Sequence, residues 1–130
     1  MATVSRPLTL VPLDGDFAVC RLDRDATFPA WVFAGDFFAV TRTLDELSVV
    51  CSQALVPEGV RCEKGWRALR VAGVWDFSVV GVLSSLISPL AAAGVSVLAL
   101  STFDTDYLFM RNTDWDRALA VLRQCGHAIP

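Results

Sequence analysis

The chain has 130 residues, of which 54% are hydrophobic and 19% are charged, and its net charge is −3. This composition excludes a disordered chain, and the length predicts one compact domain or two very small ones that share a core. Because positive charge never clusters along the sequence, we expect no nucleic-acid partner.

The cysteines and the single histidine bear on metal binding and on the cell compartment. The four cysteines form no C-x-x-C pair, and one histidine, His127, completes no zinc-ligand spacing. We therefore expect no cofactor and reduced thiols in a cytoplasmic protein. The N-terminal residues lack the long apolar stretch of a signal peptide. The cysteines are Cys20, Cys51, Cys62 and Cys125.

The first half of the chain predicts short strands separated by turns. Residues 8–13 and 17–22 flank Asp14-Gly15-Asp16, a pattern typical of a β-hairpin. A short helical segment is expected at 29–34 and a connection at 56–65. The other predicted strands are 37–41 and 47–51, joined by a turn at 43–46.

The second half predicts the order β-α-β-β-α. Residues 77–100 carry no charge over a length that could cross a membrane, but their period changes from helical to extended. They therefore predict a core helix and a core strand, with no membrane partner. Pro89 should kink this helix, and Thr113 should cap the last one. The predicted elements are strand 66–74, helix 79–93, strands 95–101 and 107–111, and a helix that ends near Gln124, before Gly126.

This order is close to the ferredoxin-like β-α-β-β-α-β motif with its last strand missing. Either the C-terminal residues form a stub, or a strand from the first half completes the sheet. An internal repeat favours the second option, because a shift of 60 residues places 37–41 on 97–101 and Asp45-Glu46 on Thr105-Asp106. We predict an α+β fold of two ferredoxin-like units, 1–62 and 63–130, with antiparallel sheets, helices on one face and a reduced helix in the first unit.

Two long segments resemble a known family. FFAVTRTLDELSVVCSQ and GWRALRVAGVWDFSVVGVLSSLISPLAAAGVSVLALSTFDTDYLFM are similar to the paired ACT-domain proteins related to the CASTOR arginine sensors. The resemblance covers nearly the whole chain, and TRTLDELSVVC and ALSTFDTDYLF are its most specific pieces. It implies two ACT-type units, an amino-acid effector bound at an interface between such units, a homodimer, and no catalysis.

The loop that leads into the predicted first helix is a candidate ligand site. The first amides of a helix lack intrahelical partners and the helix dipole favours an anion there, so an amino-acid carboxylate would fit. Gly81 leaves room for a ligand to approach, and the resemblance makes this loop one wall of the pocket. The alternative is that Asp76 or Ser78 only caps the helix. The candidate residues are Asp76, Phe77, Ser78, Val79, Val80 and Gly81.

The stretch STFDTDYLFM supplies the opposite wall in this hypothesis. A carboxylate of Asp104 or Asp106, together with the neighbouring backbone, would bind the ammonium group of an amino acid. The candidate residues are Ser101, Thr102, Phe103, Asp104 and Asp106. The alternative is a polar hairpin turn in which aspartate is a turn former.

The sequence gives less support to a metal site or a catalytic site. The pair Asp104 and Asp106 lacks a third metal ligand, and no nucleophile motif surrounds His127, which we expect to be a helix C-terminal residue. The acidic residues at 45 and 46 form either a solvated turn or part of a second pocket. Trp75, beside the candidate loop, is expected to be a packing residue.

The sequence therefore predicts a non-catalytic regulatory protein that binds an amino acid or a related metabolite at an ACT–ACT interface. The alternative is an ACT-like interaction module that binds no small ligand and regulates a protein partner by assembly.

Overall fold

The computed structural model describes residues 2–3, 7–75 and 79–130, without the side chains of Ala2, Thr3 and Val79. The chain forms two compact units. We call Gly15–Trp66 the inserted unit, and the residues up to Asp14 together with Arg67–Pro130 the split unit. The predicted boundary between residues 62 and 63 stays a prediction.

The described residues contain nine strands and two α-helices, which we number in chain order. The strands are β1 (Ala2–Thr3), β2 (Leu10–Pro12), β3 (Phe17–Leu22), β4 (Phe38–Arg42), β5 (Leu47–Ser52), β6 (Arg61–Val71), β7 (Val79–Val80), β8 (Val97–Ser101) and β9 (Asp106–Arg111). The α-helices are α1 (Val82–Ala92) and α2 (Trp115–Gln124), and 3-10 helices span Ala30–Ala34, Gln53–Leu55 and Asn112–Asp114.

The inserted unit is an antiparallel sheet with the order β4-β5-β3 and then the first half of β6. Its only regular helical segments are two 3-10 helices, as expected for a unit with a reduced helix. Val32, from the first of them, is fully buried against the sheet. The other buried members of this core are Ala18, Cys20, Val49 and Cys51.

In the split unit, two α-helices pack against β-strands. Its strands are β8, β9 and the second half of β6, to which β2 also pairs. The sheet side of the core is formed by alternate residues of β6 and β9, Leu69, Val71, Leu108 and Met110. The helix side is formed by Val82, Leu86, Leu90, Trp115, Ala118 and Leu122. Both helices therefore cover one face of the sheet, and the predicted α+β, ferredoxin-like fold class is confirmed.

The missing final strand is replaced by a strand from the first half of the chain. β2 pairs antiparallel with residues 69–71 of β6, and Thr9 forms an isolated parallel bridge with Ala128. The predicted hairpin of 8–13 with 17–22 is therefore wrong. β3 pairs instead with β5 and with residues 61–66 of β6, so the two strands use different partners.

The limits of β6 differ from the predicted ones, and its earlier start is explained by Gly65. The strand begins at Arg61 rather than at 66, and it ends at Val71 rather than at 74. Gly65 has a φ of +83°, and the pairing register with β3 shifts between Phe17 and Val19. These two features are typical of a β-bulge, which interrupts the ladder without ending the strand. A glycine that suggests a connection in the sequence is therefore part of a long strand.

The start of the first helix also differs from the prediction of residue 79. Val79 and Val80 form β7, which pairs in parallel with β1, and α1 begins at Val82. Gly81 lies between them with a φ of +90°, a left-handed conformation in which a helix cannot continue. The predicted cap of the last helix is wrong too, because the 3-10 helix Asn112–Asp114 precedes α2 and includes Thr113.

His127 is a buried structural residue, 8% exposed, just beyond the end of α2. Its Nδ1 accepts a hydrogen bond from the Leu8 N–H at 3.1 Å, and its ring also bonds the Ser85 backbone. Pro89 lies inside α1 and cannot donate to the Ser85 carbonyl, so the imidazole replaces that missing helical donor. Burial lowers the pKa of His127, and the Ser85 bond opposes this effect.

The two hairpins β4–β5 and β8–β9 have the same register. A separation of 59 residues relates every paired position, as from Phe38 to Val97 and from Cys51 to Met110. The repeat predicted from the sequence is therefore real in its strands, but the shift of 60 is wrong by one residue. Since side chains alternate along a strand, an error of one residue in the shift places each side chain on the wrong face of the sheet.

No helix among the described residues is long and apolar enough to cross a membrane.

Candidate functional site

A cavity of about 280 Å³ opens in the split unit between the start of α1 and the β8–β9 turn. It is the place where the predicted loop and the predicted polar stretch come together. Its lining residues are Trp75, Gly81, Val82, Leu83, Ser84, Ser101, Thr102, Phe103, Asp104, Thr105 and Asp106.

The turn that forms one wall is held by its own threonines. The Thr102 N–H donates to the Thr105 carbonyl at 2.8 Å, and the Thr102 hydroxyl bonds the same carbonyl at 3.1 Å. The buried Thr105 hydroxyl donates to the Val71 carbonyl at 2.6 Å, at the end of β6. The turn is therefore anchored to the sheet from inside, while its Asp104 and Phe103 side chains are exposed.

The loop after β6 is tied to the same turn. The Trp75 N–H donates to the Asp104 carbonyl at 2.7 Å, and the Trp75 indole N–H donates to the Ala72 carbonyl at 3.1 Å. Gly73 makes this loop possible with a φ of +99°. Trp75, Leu83 and the exposed Phe103 give the cavity its apolar surface.

The electrostatic character of this wall is negative. Ser101 and Asp106 are the cross-strand pair next to the turn of the hairpin, and the Ser101 hydroxyl donates to Asp106 Oδ1 at 2.6 Å. Among the described residues that line the cavity, two carry a carboxylate and none is basic. This wall suits an ammonium or another cationic group.

The opposite wall is the first turn of α1. Residues Gly81 to Ser84 line the cavity, and the first intrahelical bond runs from the Ser85 N–H to the Gly81 carbonyl at 2.9 Å. The amides of residues 82–84 therefore precede the helical ladder, and no described side chain caps them. Together with the helix dipole, these amides favour an anion.

The predicted site residues divide into three groups. Six of them line the cavity, namely Gly81, Ser101, Thr102, Phe103, Asp104 and Asp106. Val80, in β7, is described but does not line the cavity. Asp76, Phe77, Ser78 and the side chain of Val79 lie outside the described residues. Whether any of these residues binds a ligand stays a prediction.

Five lining residues were not among the predicted ones. Val82, Leu83 and Ser84 were missed because the helix starts three residues later than its periodicity suggested. Thr105 belongs to the turn, and its inward hydroxyl, which the sequence does not reveal, shows its role. Trp75 was expected to pack, and its position beside Gly73 was the signal that could have placed it here.

The inserted unit has the same turn in a different setting. Thr43 and Glu46 repeat the backbone and hydroxyl bonds of Thr102 and Thr105, with the Thr43 N–H donating to the Glu46 carbonyl at 2.9 Å. Arg42 and Leu47 occupy the positions of Ser101 and Asp106, and both line a separate open cavity of about 600 Å³.

Arginine side chains span this second turn. Arg42 Nη2 donates to the Ala26 carbonyl at 2.6 Å, and Arg24 Nη1 donates to the Leu44 carbonyl at 2.9 Å. Arg21 Nη2 donates to the Asp45 carbonyl at 3.0 Å. The strand end that carries a carboxylate in the split unit carries an arginine in the inserted unit.

No group of three or more His, Cys, Asp or Glu residues is arranged to hold a metal ion in the part of the chain that the structure describes.

Family models match both parts of the sequence. The model described as an ACT domain matches residues 61–124. A second model, for the N-terminal domain of a group of related proteins, matches residues 15–59.

Individual relatives agree with these matches. The human protein named cytosolic arginine sensor for mTORC1 subunit 1 is 30% identical over an alignment of 103 residues, which covers 68% of this chain and 30% of that protein. The chain thus spans about a third of the length of this relative.

Solved structures show the same fold. The crystal structure of protein Atu0741 from Agrobacterium tumefaciens has a TM-score of 0.91 and 35% identity, with 97% of this chain and 94% of that chain covered. The aspartate kinase of Clostridium acetobutylicum has a TM-score of 0.70 at 8% identity, and the match covers 96% of this chain and 36% of that chain. The second likeness concerns the fold alone.

Proposed function

Since this chain belongs to the ACT-domain family and is related to the CASTOR arginine sensors, we propose that it is a non-catalytic regulatory module that binds an amino acid. The proposed binding site is the cavity between the start of α1 and the β8–β9 turn. The name of the human relative, an arginine sensor, supports an amino acid as the ligand class. That name also describes a cytosolic protein, which is consistent with a cytoplasmic location for this chain.

The observation that carries the proposal is the pairing of opposite chemistries across one cavity. An amino acid has a carboxylate that needs N–H donors and an ammonium that needs oxygen acceptors. The amides of residues 82–84 supply donors on one wall, and Asp104 and Asp106 supply carboxylates on the other. The cavity of about 280 Å³ is near the small end of the roughly 300–1,000 Å³ that drug-sized ligands occupy, which suits a single amino acid.

The charge of the cavity walls limits which amino acids could bind. Because the described lining residues include two acids and no base, an acidic amino acid would face repulsion at this site. A neutral or basic amino acid would not, and Trp75 and Phe103 offer apolar surface to its aliphatic part. We therefore expect basic and neutral amino acids to bind more tightly than aspartate or glutamate. All the described residues that line this cavity belong to the split unit. A binding site at an ACT–ACT interface therefore stays a prediction.

A thermal-shift screen against the twenty amino acids tests the proposal. A ligand at 100 times its dissociation constant should stabilise the protein by about 2.7 kcal/mol, which raises the melting temperature. If none of the twenty shifts the transition at millimolar concentration, amino-acid binding is not the function.

A pair of variants then locates the site. Asp104→Asn should reduce affinity for the best ligand at least tenfold, or about 1.4 kcal/mol, because it removes one carboxylate of the wall. Asp45→Asn changes the equivalent turn residue of the inserted unit and should leave the affinity unchanged. Equal losses in both variants, or no loss in either, would place the ligand elsewhere.

Assembly with a second copy is an alternative function that one feature favours. β8 ends the strand order of the sheet, and Leu98 and Leu100 on it are only half-buried. An edge strand with apolar side chains can pair with the same strand of another copy. Light scattering tests the homodimer, and a strict monomer at micromolar concentration would exclude regulation by such pairing.

A further inference from the structure

Three cysteines of the inserted unit lie on adjacent strands of its sheet. Cys20 on β3 is the direct cross-strand partner of Cys62 on β6. Cys51 on β5 is opposite Ala18, which lies two residues from Cys20 along β3. Cys20 and Cys51 are buried in the core of the unit, whereas Cys62 is partly exposed at its margin.

The thiols are also in contact with each other. The Cys20 thiol is hydrogen-bonded to Cys51, and it also bonds Cys62. The three sulfurs thus form a series with Cys20 in the middle and one member, Cys62, within reach of solvent. A buried thiol beside an accessible one has the arrangement of a resolving and an attacking cysteine.

Strand geometry decides which pair can form a disulfide. Residues directly opposite in an antiparallel pair have Cα atoms about 4.5–5.5 Å apart, within the range of about 4.4–6.8 Å found for disulfides. Diagonal neighbours are about 7–8 Å apart, which is too far for a bond without movement of the backbone. Cys20 and Cys62 therefore meet the requirement in the observed register, and Cys20 with Cys51 does not.

We propose that Cys20 and Cys62 form a reversible oxidation site of the inserted unit, in which a peroxide converts the two thiols into a cross-strand disulfide. The Cys62 thiolate attacks one peroxide oxygen, which gives a sulfenic acid at Cys62 and, for hydrogen peroxide, hydroxide that is protonated to water. The Cys20 sulfur then attacks Cys62 Sγ, and the sulfenic hydroxyl leaves with a proton as a second water. Two thiols are oxidised and one peroxide is reduced.

The pKa values indicate how this reaction should depend on pH. Burial raises the pKa of Cys62, and the bond to Cys51 together with burial raises that of Cys20. Because the thiolate is the attacking species, the oxidation should be slow near neutral pH and should accelerate as the pH rises.

Mass spectrometry of the intact chain tests the proposal in a Cys125→Ser background, which removes the exposed thiol of the split unit. Hydrogen peroxide should cause the loss of two hydrogen atoms, reversed by dithiothreitol. Trypsin cleaves after Arg21, Arg61 and Lys64, so the disulfide should join the peptide ending at Arg21 to the tripeptide 62–64. A bond between Cys20 and Cys51 would instead join it to the peptide 43–61.

Two variants complete the test. Cys62→Ser, at the partly exposed position, should abolish the mass loss while circular dichroism shows an unchanged fold. Cys51→Ser should retain the bond to the tripeptide 62–64. The proposal is overturned if peroxide adds oxygen to Cys62 without a cross-link, if the peptide 43–61 is linked, or if the reduced protein does not react even at pH 9.

Discussion

Next to the turn of hairpin β4–β5 the paired residues are Arg42 and Leu47, whereas the same positions of β8–β9 hold Ser101 and Asp106. Both hairpins keep one register and one threonine-based turn. The backbone ladder needs that register and the turn needs its hydroxyl, so these features persist in both copies. The strand-end side chains satisfy no backbone group of the hairpin itself, and they determine whether the end is an acidic cavity or an arginine-bridged turn.

The helical element is the second difference between the units. In the split unit, β6 and the short β7 precede the eleven-residue helix α1, which buries Val82, Leu86 and Leu90. The inserted unit follows β3 with a five-residue 3-10 helix that buries Val32. Only the longer helix presents a complete first turn to a cavity, which explains why the proposed site is in the split unit.

Substitutions in the hydrophobic cores of the two units should change the free energy of unfolding most. Leu86→Ala should lower the free energy of unfolding by about 2–5 kcal/mol, because a fully buried leucine is replaced by a cavity. Val32→Ala should cost about 2 kcal/mol, since it removes fewer buried carbons. Urea denaturation measures both. Leu44→Ala, at a residue that is 78% exposed, is the control and should change stability by less than about 0.5 kcal/mol.

Loss of the hydrogen bond between the Thr105 hydroxyl and the Val71 carbonyl should have the next largest effect on the free energy of unfolding. Thr105→Val should cost about 1–3 kcal/mol, because the buried Val71 carbonyl loses its donor. Thr105→Ser keeps the hydroxyl and should restore most of the loss. The counterpart in the inserted unit, Glu46→Gln, should be neutral within about 0.5 kcal/mol. A neutral Thr105→Val would show that the turn holds without its inner bond.

The shared turn provides a matched pair of smaller effects. Thr43→Ala and Thr102→Ala each remove a hydroxyl that bonds the turn backbone, so each should cost about 0.5–1.5 kcal/mol. The two losses, measured by thermal or urea unfolding, should agree within about 0.5 kcal/mol. A larger difference would mean that the two turns are alike in geometry but not in energy.

The smallest expected effect is a pH dependence that belongs to the split unit, since the chain's single histidine is there. Burial lowers the pKa of His127 in the folded state, so below its ordinary value of about 6.5 the unfolded chain binds more protons than the folded one. The stability that neutral His127 contributes is present above pH 6.5 and should be lost as the pH falls below it. The Ser85 bond reduces the size of this effect.

Urea unfolding between pH 5 and 8 measures this dependence, in a range above the ordinary pKa values of carboxyl groups. His127→Gln should remove the slope between about pH 5 and 6.5. An unchanged slope in the variant would assign the pH dependence to another group.

Much of the fold could be predicted because it depends on local pattern. The apolar runs of β3, β5, β8 and β9, the helical period of residues 82–90 and the stop at Gly126 are all local. Two of the errors occurred at glycines. Gly65 forms a bulge inside β6 and Gly81 separates β7 from α1, and the sequence does not distinguish these uses of a positive φ from a loop.

The repeat shows a second limit. A shift of 60 residues aligned apolar residues of one repeat with apolar residues of the other. Only the cross-strand register of the two hairpins showed that the correct shift is 59. The strands β4 and β8 carry apolar residues at consecutive positions, so hydrophobicity alone does not define the phase of the alternation.

By itself the sequence determined the fold class, the family and the two polar segments, because composition, periodicity and family motifs are properties of neighbouring residues. Only the tertiary structure decided that β2 completes the sheet and that Trp75, Ser84 and Thr105 join the cavity. It also decided that Cys20 and Cys62 are direct partners. These are contacts between residues far apart in the chain, and pairing register and packing choose them.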